Sequence, residues 1–184
     1  IGAAQNTIIK TDSEGGEEWH KKLSYSVHHY VEDVIQTSDG DYIVVGGAGG
    51  DPLGGHAIKG KAFILRMSEG GGVQWVKRYG IIDTPYNTFW GVVEADDGGF
   101  VIAGEKLQDR NFEFYDHFWV MKTDAYGEEE WSIESGGNLW DEAQDIVKLS
   151  DDSYIVTGKT ALSSNNLNMK VMRVSSSGQI LWQN

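Results

Sequence analysis

Lys122-Thr123-Asp124-Ala125-Tyr126-Gly127-Glu128-Glu129-Glu130-Trp131 is one of four copies of a single ten-residue frame. The others begin at Lys10, Arg66 and Arg173 and end at Trp19, Trp75 and Trp182. Each has a basic residue, Asp or Ser two positions later, Gly five later and Trp nine later. Successive Trp residues are 56, 56 and 51 positions apart (75−19, 131−75, 182−131). A frame returning at that period marks a repeat architecture.

Outward from the frame, each repeat holds four strand-like segments. A short apolar run precedes the basic residue, at 7–9, 63–65, 119–121 and 171–172. The turn that follows has an Asp or Ser able to accept a backbone N–H, and a Gly suited to positive φ. The second segment runs through the Trp. The third and fourth flank a second tight turn, Ser38-Asp39-Gly40-Asp41, Asp96-Asp97-Gly98-Gly99 or Ser150-Asp151-Asp152-Ser153. Asp-Gly between apolar runs is a strong hairpin signal. The fourth segments, such as Tyr42-Ile43-Val44-Val45-Gly46 and Phe100-Val101-Ile102-Ala103-Gly104, are continuously apolar, as expected of strands buried on both faces.

No stretch reads as an amphipathic helix. Four antiparallel strands per repeat of roughly 55 residues is the design of a propeller blade. The expectation is therefore an all-β, β-propeller-like array of about 14 strands in four-stranded antiparallel blades. It forms a single repeat domain over 1–184, with repeats at 7–61, 62–117 and 118–169 and half of a fourth at 170–184. Three and a half blades leave open strand edges, which invite pairing with a second copy or with the remainder of a longer propeller.

Two stretches carry a resemblance to a known family. Ser177-Gly178-Gln179-Ile180-Leu181-Trp182 resembles the Gly-x-x-x-Trp docking motif of quinoprotein-like (PQQ-type) β-propeller repeats. The run from Gln36 to Gly46 is similar to repeats of bacterial and archaeal surface and secreted propeller proteins. The resemblance implies the propeller fold and an extracellular or cell-surface location. Quinoprotein dehydrogenases of this family use acidic and amide calcium ligands and often a vicinal disulfide. This chain has no Cys and too few repeats for such a ring, so no catalytic residue carries over.

The formal charge of −13 repels phosphate backbones and anionic lipid heads, which sets the chain against nucleic-acid and membrane-surface partners. No apolar run reaches the roughly 20 residues of a membrane span. The chain opens on Ile1 without a Met and reads as a processed form or an excised piece.

A residue found at the same place in every repeat serves what every repeat must do, which is fold. Trp19, Trp75, Trp131 and Trp182 are therefore read as packing between blades, and Lys10, Arg66, Lys122 and Arg173 as partners of nearby acids. The turn acids Asp39, Asp97 and Asp151 are read as turn formers. A Ca²⁺ reading lacks the linear ligand spacing that gathers oxygens locally, so no cofactor is expected. Function is expected on the long, variable connections, at 24–30, 80–88 and 135–142 and at 48–61, 106–117 and 160–169. These supply Tyr25, His28, Tyr86, Tyr115, Asp116, His117, Trp140 and Asp141. Trp90 joins them because Glu32 and Gln144 stand at its place in the other repeats. Exposed aromatics beside carboxylates suit sugar rings and also a protein interface.

The leading expectation is a non-enzymatic binding or assembly module of a secreted or cell-surface protein. The alternative is a carbohydrate-active, glycoside-cleaving propeller drawing carboxylates from Asp83, Asp116, Asp141 and Glu142.

Overall fold

Asp12, Ser68, Asp124 and Ser175 each head a hairpin turn closed by the same two bonds. In the first, Asp12 N–H donates to the Gly16 carbonyl (2.8 Å) and Gly15 N–H to that of Asp12 (3.2 Å). The side-chain oxygen of each turn head also accepts the N–H four residues on, at 2.7 Å for Asp12, 3.1 Å for Ser68, 2.8 Å for Asp124 and 3.0 Å for Ser175. That shared bond is why the position alternates between Asp and Ser. A glycine with φ near +80° ends each turn, and the ladder shifts register just after the basic residue. A type I turn followed by a left-handed bulge residue gives that pattern.

The second set of hairpins uses the same geometry. Gly40 and Gly98 take φ of +93° and +79°, and Asp152 takes the equivalent place at +61°. Asp is among the few non-glycine residues that tolerate this region. Arg66 pairs with Asp39 and Asp41, and Arg173 with Asp151. Lys122 is buried between Asp97 (2.7 Å) and Glu130 (2.8 Å). Burial opposes its charge, but the hydrogen bonds to the two carboxylates prevail and hold its pKa above the ordinary lysine value.

A computed structural model of the chain describes residues 2–4, 7–23, 29–48, 61–80, 87–110, 113–137, 139–163 and 166–184. These form fifteen antiparallel strands and no helix. The chain divides into two compact units, Ile1–Thr88 and Phe89–Asn184. In the first unit, β1 (Gly2–Ala4), β2 (Thr7–Thr11) and β3 (Glu17–Lys22) form one sheet. Beside it in sequence, β4 (His29–Gln36), β5 (Tyr42–Ala48), β6 (Lys61–Met67) and β7 (Val73–Tyr79) pair in order. In the second unit, β8 (Asn87–Glu94, which begins in the first), β9 (Phe100–Arg110), β10 (Glu113–Thr123) and β11 (Glu129–Ser135) pair in order. A four-stranded sheet follows, of β12 (Asp141–Lys148), β13 (Tyr154–Ser163), β14 (Asn166–Val174) and β15 (Ile180–Gln183).

The hydrogen-bonded groups are thus phased two strands later than the sequence frame. Residues 170–184 do not start a fourth group; they complete the one begun by β12 and β13. The three-stranded group stands at the N-terminal end. The connections expected at 106–117 and 160–169 are also different from loops. β9 and β10 stay paired out to Arg110 and Glu113, and β13 and β14 out to Ser163 and Asn166, so both are long hairpins.

Ile43, Val44 and Val45 in β5 and Val101, Ile102 and Ala103 in β9 are fully buried, as their unbroken apolar runs predict. In the first unit Ile8, Leu23, Tyr42, Val44, Phe63, Leu65 and Met67 make the core, with Trp19 against it. In the second, side chains of both sheets meet, including Phe118, Val120, Tyr154, Val156 and Met172, with Trp131 against them.

Two glycines are fixed by close approach. β4 bulges at Glu32 and β12 at Gln144, each driving a carbonyl toward the facing strand. A Cβ on Gly46 would stand 1.8 Å from the Tyr30 oxygen, and one on Gly158 1.8 Å from the Glu142 oxygen. Gly158→Ala is expected to cost about 3 kcal/mol or more in chemical denaturation, since backbone must move. Gly70→Ala, where a Cβ meets nothing within 4 Å, should change stability by about 0.5 kcal/mol or less. Equal effects of the two would contradict the bulge geometry.

Candidate functional site

Asp116 and His117 are neighbours on β10, so their side chains leave opposite faces of the sheet. Asp116 pairs in register with Leu107, and His117 with Lys106. His117 is buried, and its Nε2 has no hydrogen-bond partner among the described residues. Its strand neighbour but one, Trp119, is also buried, and Lys106 lies over the Trp119 ring, 5.3 Å from its centroid, while ion-pairing with Glu134. That face is interior. The opposite face carries the chemistry.

On that face Asp116 is partly buried, and its carboxyl is pushed up to about 6, by burial first and by the nearby Glu142 charge second. Glu142 on β12 ion-pairs with Lys159 on β13 at 2.8 Å, a cross-strand pair set by the register Glu142↔Lys159. Asp141, one residue earlier on the other face of β12, is buried and accepts the Gly137 N–H at 3.0 Å. Lys170 on β14 lies 4.0 Å from Asp141, donates to the Ser135 hydroxyl (2.9 Å) and carbonyl (3.2 Å), and sits over the Phe118 ring. Burial pulls the Lys170 ammonium below the ordinary lysine value, against the opposing Asp141 charge.

Trp140 immediately precedes Asp141 in the chain and is 57% exposed, yet its backbone is held, because its carbonyl accepts the Ala161 N–H at 2.8 Å. A groove of about 440 Å³ opens on the same sheet, lined by Thr160, Leu162, Asn168, Met169, Lys170 and Gln183 among others. Leu162 and Met169 are largely exposed there. The ends of β12, β13 and β14 therefore carry the exposed Trp140, the Glu142–Lys159 pair on one face and the Asp141–Lys170 approach on the other.

Of the residues singled out in sequence, Asp116, Trp140 and Asp141 fall in or beside this cluster, and His117 faces away from it. Tyr115 shares the His117 side of β10 and is half-buried. Trp90 is half-buried on β8, with its indole N–H buried and unpartnered among the described residues. Glu32 and Gln144, at the equivalent place, are the extra residues of bulges, and burial pushes the Glu32 carboxyl up. Tyr25, His28, Tyr86 and Asp83 lie outside the described residues. Lys159, Lys170 and Ser135 escaped the reading of the sequence. The available signal was a lone Lys at the end of an apolar strand run, as in Lys170-Val171-Met172.

No group of three or more metal-ligating side chains occurs among the described residues. Among the described residues there is no helix long and apolar enough to cross a membrane, which says nothing of a β-barrel.

The sequence matches no family description and no curated protein. The structure is similar to a crystal structure of a protein of unknown function from Bacteroides caccae, with a TM-score of 0.53 at 13% identity. The match covers 99% of this chain and 58% of that one, so this chain spans under two thirds of its neighbour's length. The likeness concerns the fold.

Asp116 carries a testable cost. Its folded pKa of about 6 lies above the ordinary 3.8, so the folded state binds the extra proton and loses stability as pH rises between those values. Asp116→Asn should therefore stabilise the protein at pH 7.5 by about 1–2 kcal/mol after solvent screening, with the gain vanishing near pH 4. Thermal unfolding across that range checks it; a gain independent of pH would contradict the assignment.

Proposed function

We propose that this chain is a non-enzymatic binding and assembly module, built as a β-propeller-like array of four-stranded blades of the quinoprotein-like type and belonging to a secreted or cell-surface protein. Its ligand site is the region around Trp140. The observation that carries this reading is Trp140, 57% exposed on a backbone pinned by the Ala161 N–H, two residues before Glu142 of the Glu142–Lys159 pair. A fixed exposed aromatic loses little freedom on binding and offers its face to the C–H side of a sugar ring. Carboxylate and ammonium groups alongside it match hydroxyls as acceptors and donors. The four-stranded sheet of β12 to β15 and the repeated antiparallel hairpins support the propeller part of the reading.

One observation favours the alternative, a glycoside-cleaving activity. Asp116 holds its proton up to about pH 6 with the Glu142 charge close by, and a protonated carboxyl near a second carboxylate is what acid-assisted glycoside cleavage needs. The ion pair of Glu142 with Lys159 weighs against it, because it ties down the second carboxylate.

A glycan array followed by titration calorimetry separates the readings. Trp140→Ala is expected to weaken glycan binding at least tenfold with the melting temperature unchanged, and no turnover should accompany binding. Hydrolysis abolished by Asp116→Asn would replace the binding module with the enzyme. Binding indifferent to Trp140→Ala would remove the site.

A further inference from the structure

In both units a Trp of one sheet docks on the hairpin turn of the next. Trp19 on β3 donates its indole N–H to the Glu69 carbonyl at 3.1 Å, in the turn between β6 and β7. Trp131 on β11 donates to the Ser176 carbonyl at 3.2 Å, in the turn between β14 and β15. Each acceptor is the third residue after the basic residue of its own frame. Each ring lies flush on the turn's glycine, so a Cβ would come within 3.1 Å of Trp19 at Gly71 and 2.8 Å of Trp131 at Gly178. Both glycines have φ of +81°.

Among the described residues, the donor Trp182 and the acceptor turn of residues 12–16 show no such contact. Trp182 on β15 stands across from Arg173 as Trp19 stands across from Lys10 and Trp131 from Lys122. It is nonetheless 46% exposed, beside Ile180 and Leu181 at 39% and 48%. At the other end, the turn of residues 12–16 has the same two backbone bonds and Gly15 at φ +84°, but a Cβ on Gly15 would meet nothing within 4 Å.

We propose that Trp182 of one copy docks on the residue 12–16 turn of a second copy, its indole N–H donating to the Ser13 carbonyl and its ring lying on Gly15. Ser13 is the third residue after Lys10, which is the place Glu69 and Ser176 hold after Arg66 and Arg173. The exposed Glu14 beside it suits the Arg173 guanidinium that accompanies Trp182. The occupant is a second copy of this chain because its own N-terminal turn has the acceptor geometry already used twice. The contact is heterologous, joining unlike ends, so it links copies head to tail.

Complementation tests this. The wild-type chain is expected to run at multiples of 20.4 kDa in light scattering and native mass spectrometry. Trp182→Ala lacks the donor. Gly15→Asn keeps the turn, as Asp152 does at φ +61°, but puts a Cβ under the incoming ring. Each variant alone should be a folded 20.4 kDa monomer by circular dichroism and mass. An equimolar mixture should recover a one-to-one pair and nothing longer, since each copy retains one working end. A wild-type monomer at tens of micromolar would overturn the proposal, as would a Gly15→Asn protein that still associates or a mixture that stays monomeric.

Discussion

The structure depends on one contact repeated in each unit: an indole ring laid on the glycine of a neighbouring sheet's turn, with its N–H on a turn carbonyl. Three requirements meet there. The ring must project from the strand directly opposite the basic residue, which the register Lys10↔Trp19 and Lys122↔Trp131 provides. The turn must present a bare backbone surface, which only glycine at positive φ gives. The turn must also hold its shape, which the Asp or Ser side chain does by binding the N–H four residues on. All three are visible in the ten-residue frame, and none of its fixed positions is left without a role.

The basic residue links this contact to the rest of each sheet. Arg66, Lys122 and Arg173 reach from the strand opposite the Trp to the acids of the adjoining hairpin, so the two turns at one end of a sheet are tied together. Lys10 belongs to the group that lacks that hairpin among the described residues. It pairs instead with Glu18 at 2.9 Å and lies 3.8 Å from Glu69 of the turn on which Trp19 docks. The same position thus serves either the sheet itself or the junction between sheets, according to which acids are within reach.

The all-β class, most of the strands and the hairpin turns were legible in the sequence because each rests on local chemistry that repeats. Phasing was not. A frame starting at Lys10 or at Val31 predicts the same strands, and only long-range pairing says that Lys170 to Val174 belongs with Tyr154 to Ser163. The extended hairpin through Glu113 and Asp116 was hidden for a similar reason. Polar residues on a strand protruding from the core follow no apolar alternation, so they read as a loop. The charged cluster was half visible. Asp116, Trp140 and Asp141 stand out by type, but Lys159 and Lys170 reach them only through cross-strand register and through the meeting of β10 with β12, which spacing along the chain does not encode.

The docking contact is tested most directly by a double-mutant cycle on Trp131 and Gly178 in equilibrium denaturation. With Trp131 present, Gly178→Ala brings a methyl to 2.8 Å from the ring and adds the strain of positive φ. With Trp131→Ala, only the strain remains, about 1 kcal/mol. The account predicts that the two substitutions together cost less than their sum by about 1–2 kcal/mol. Additive costs, agreeing within about 0.3 kcal/mol, would mean that ring and turn do not depend on one another, and would contradict it.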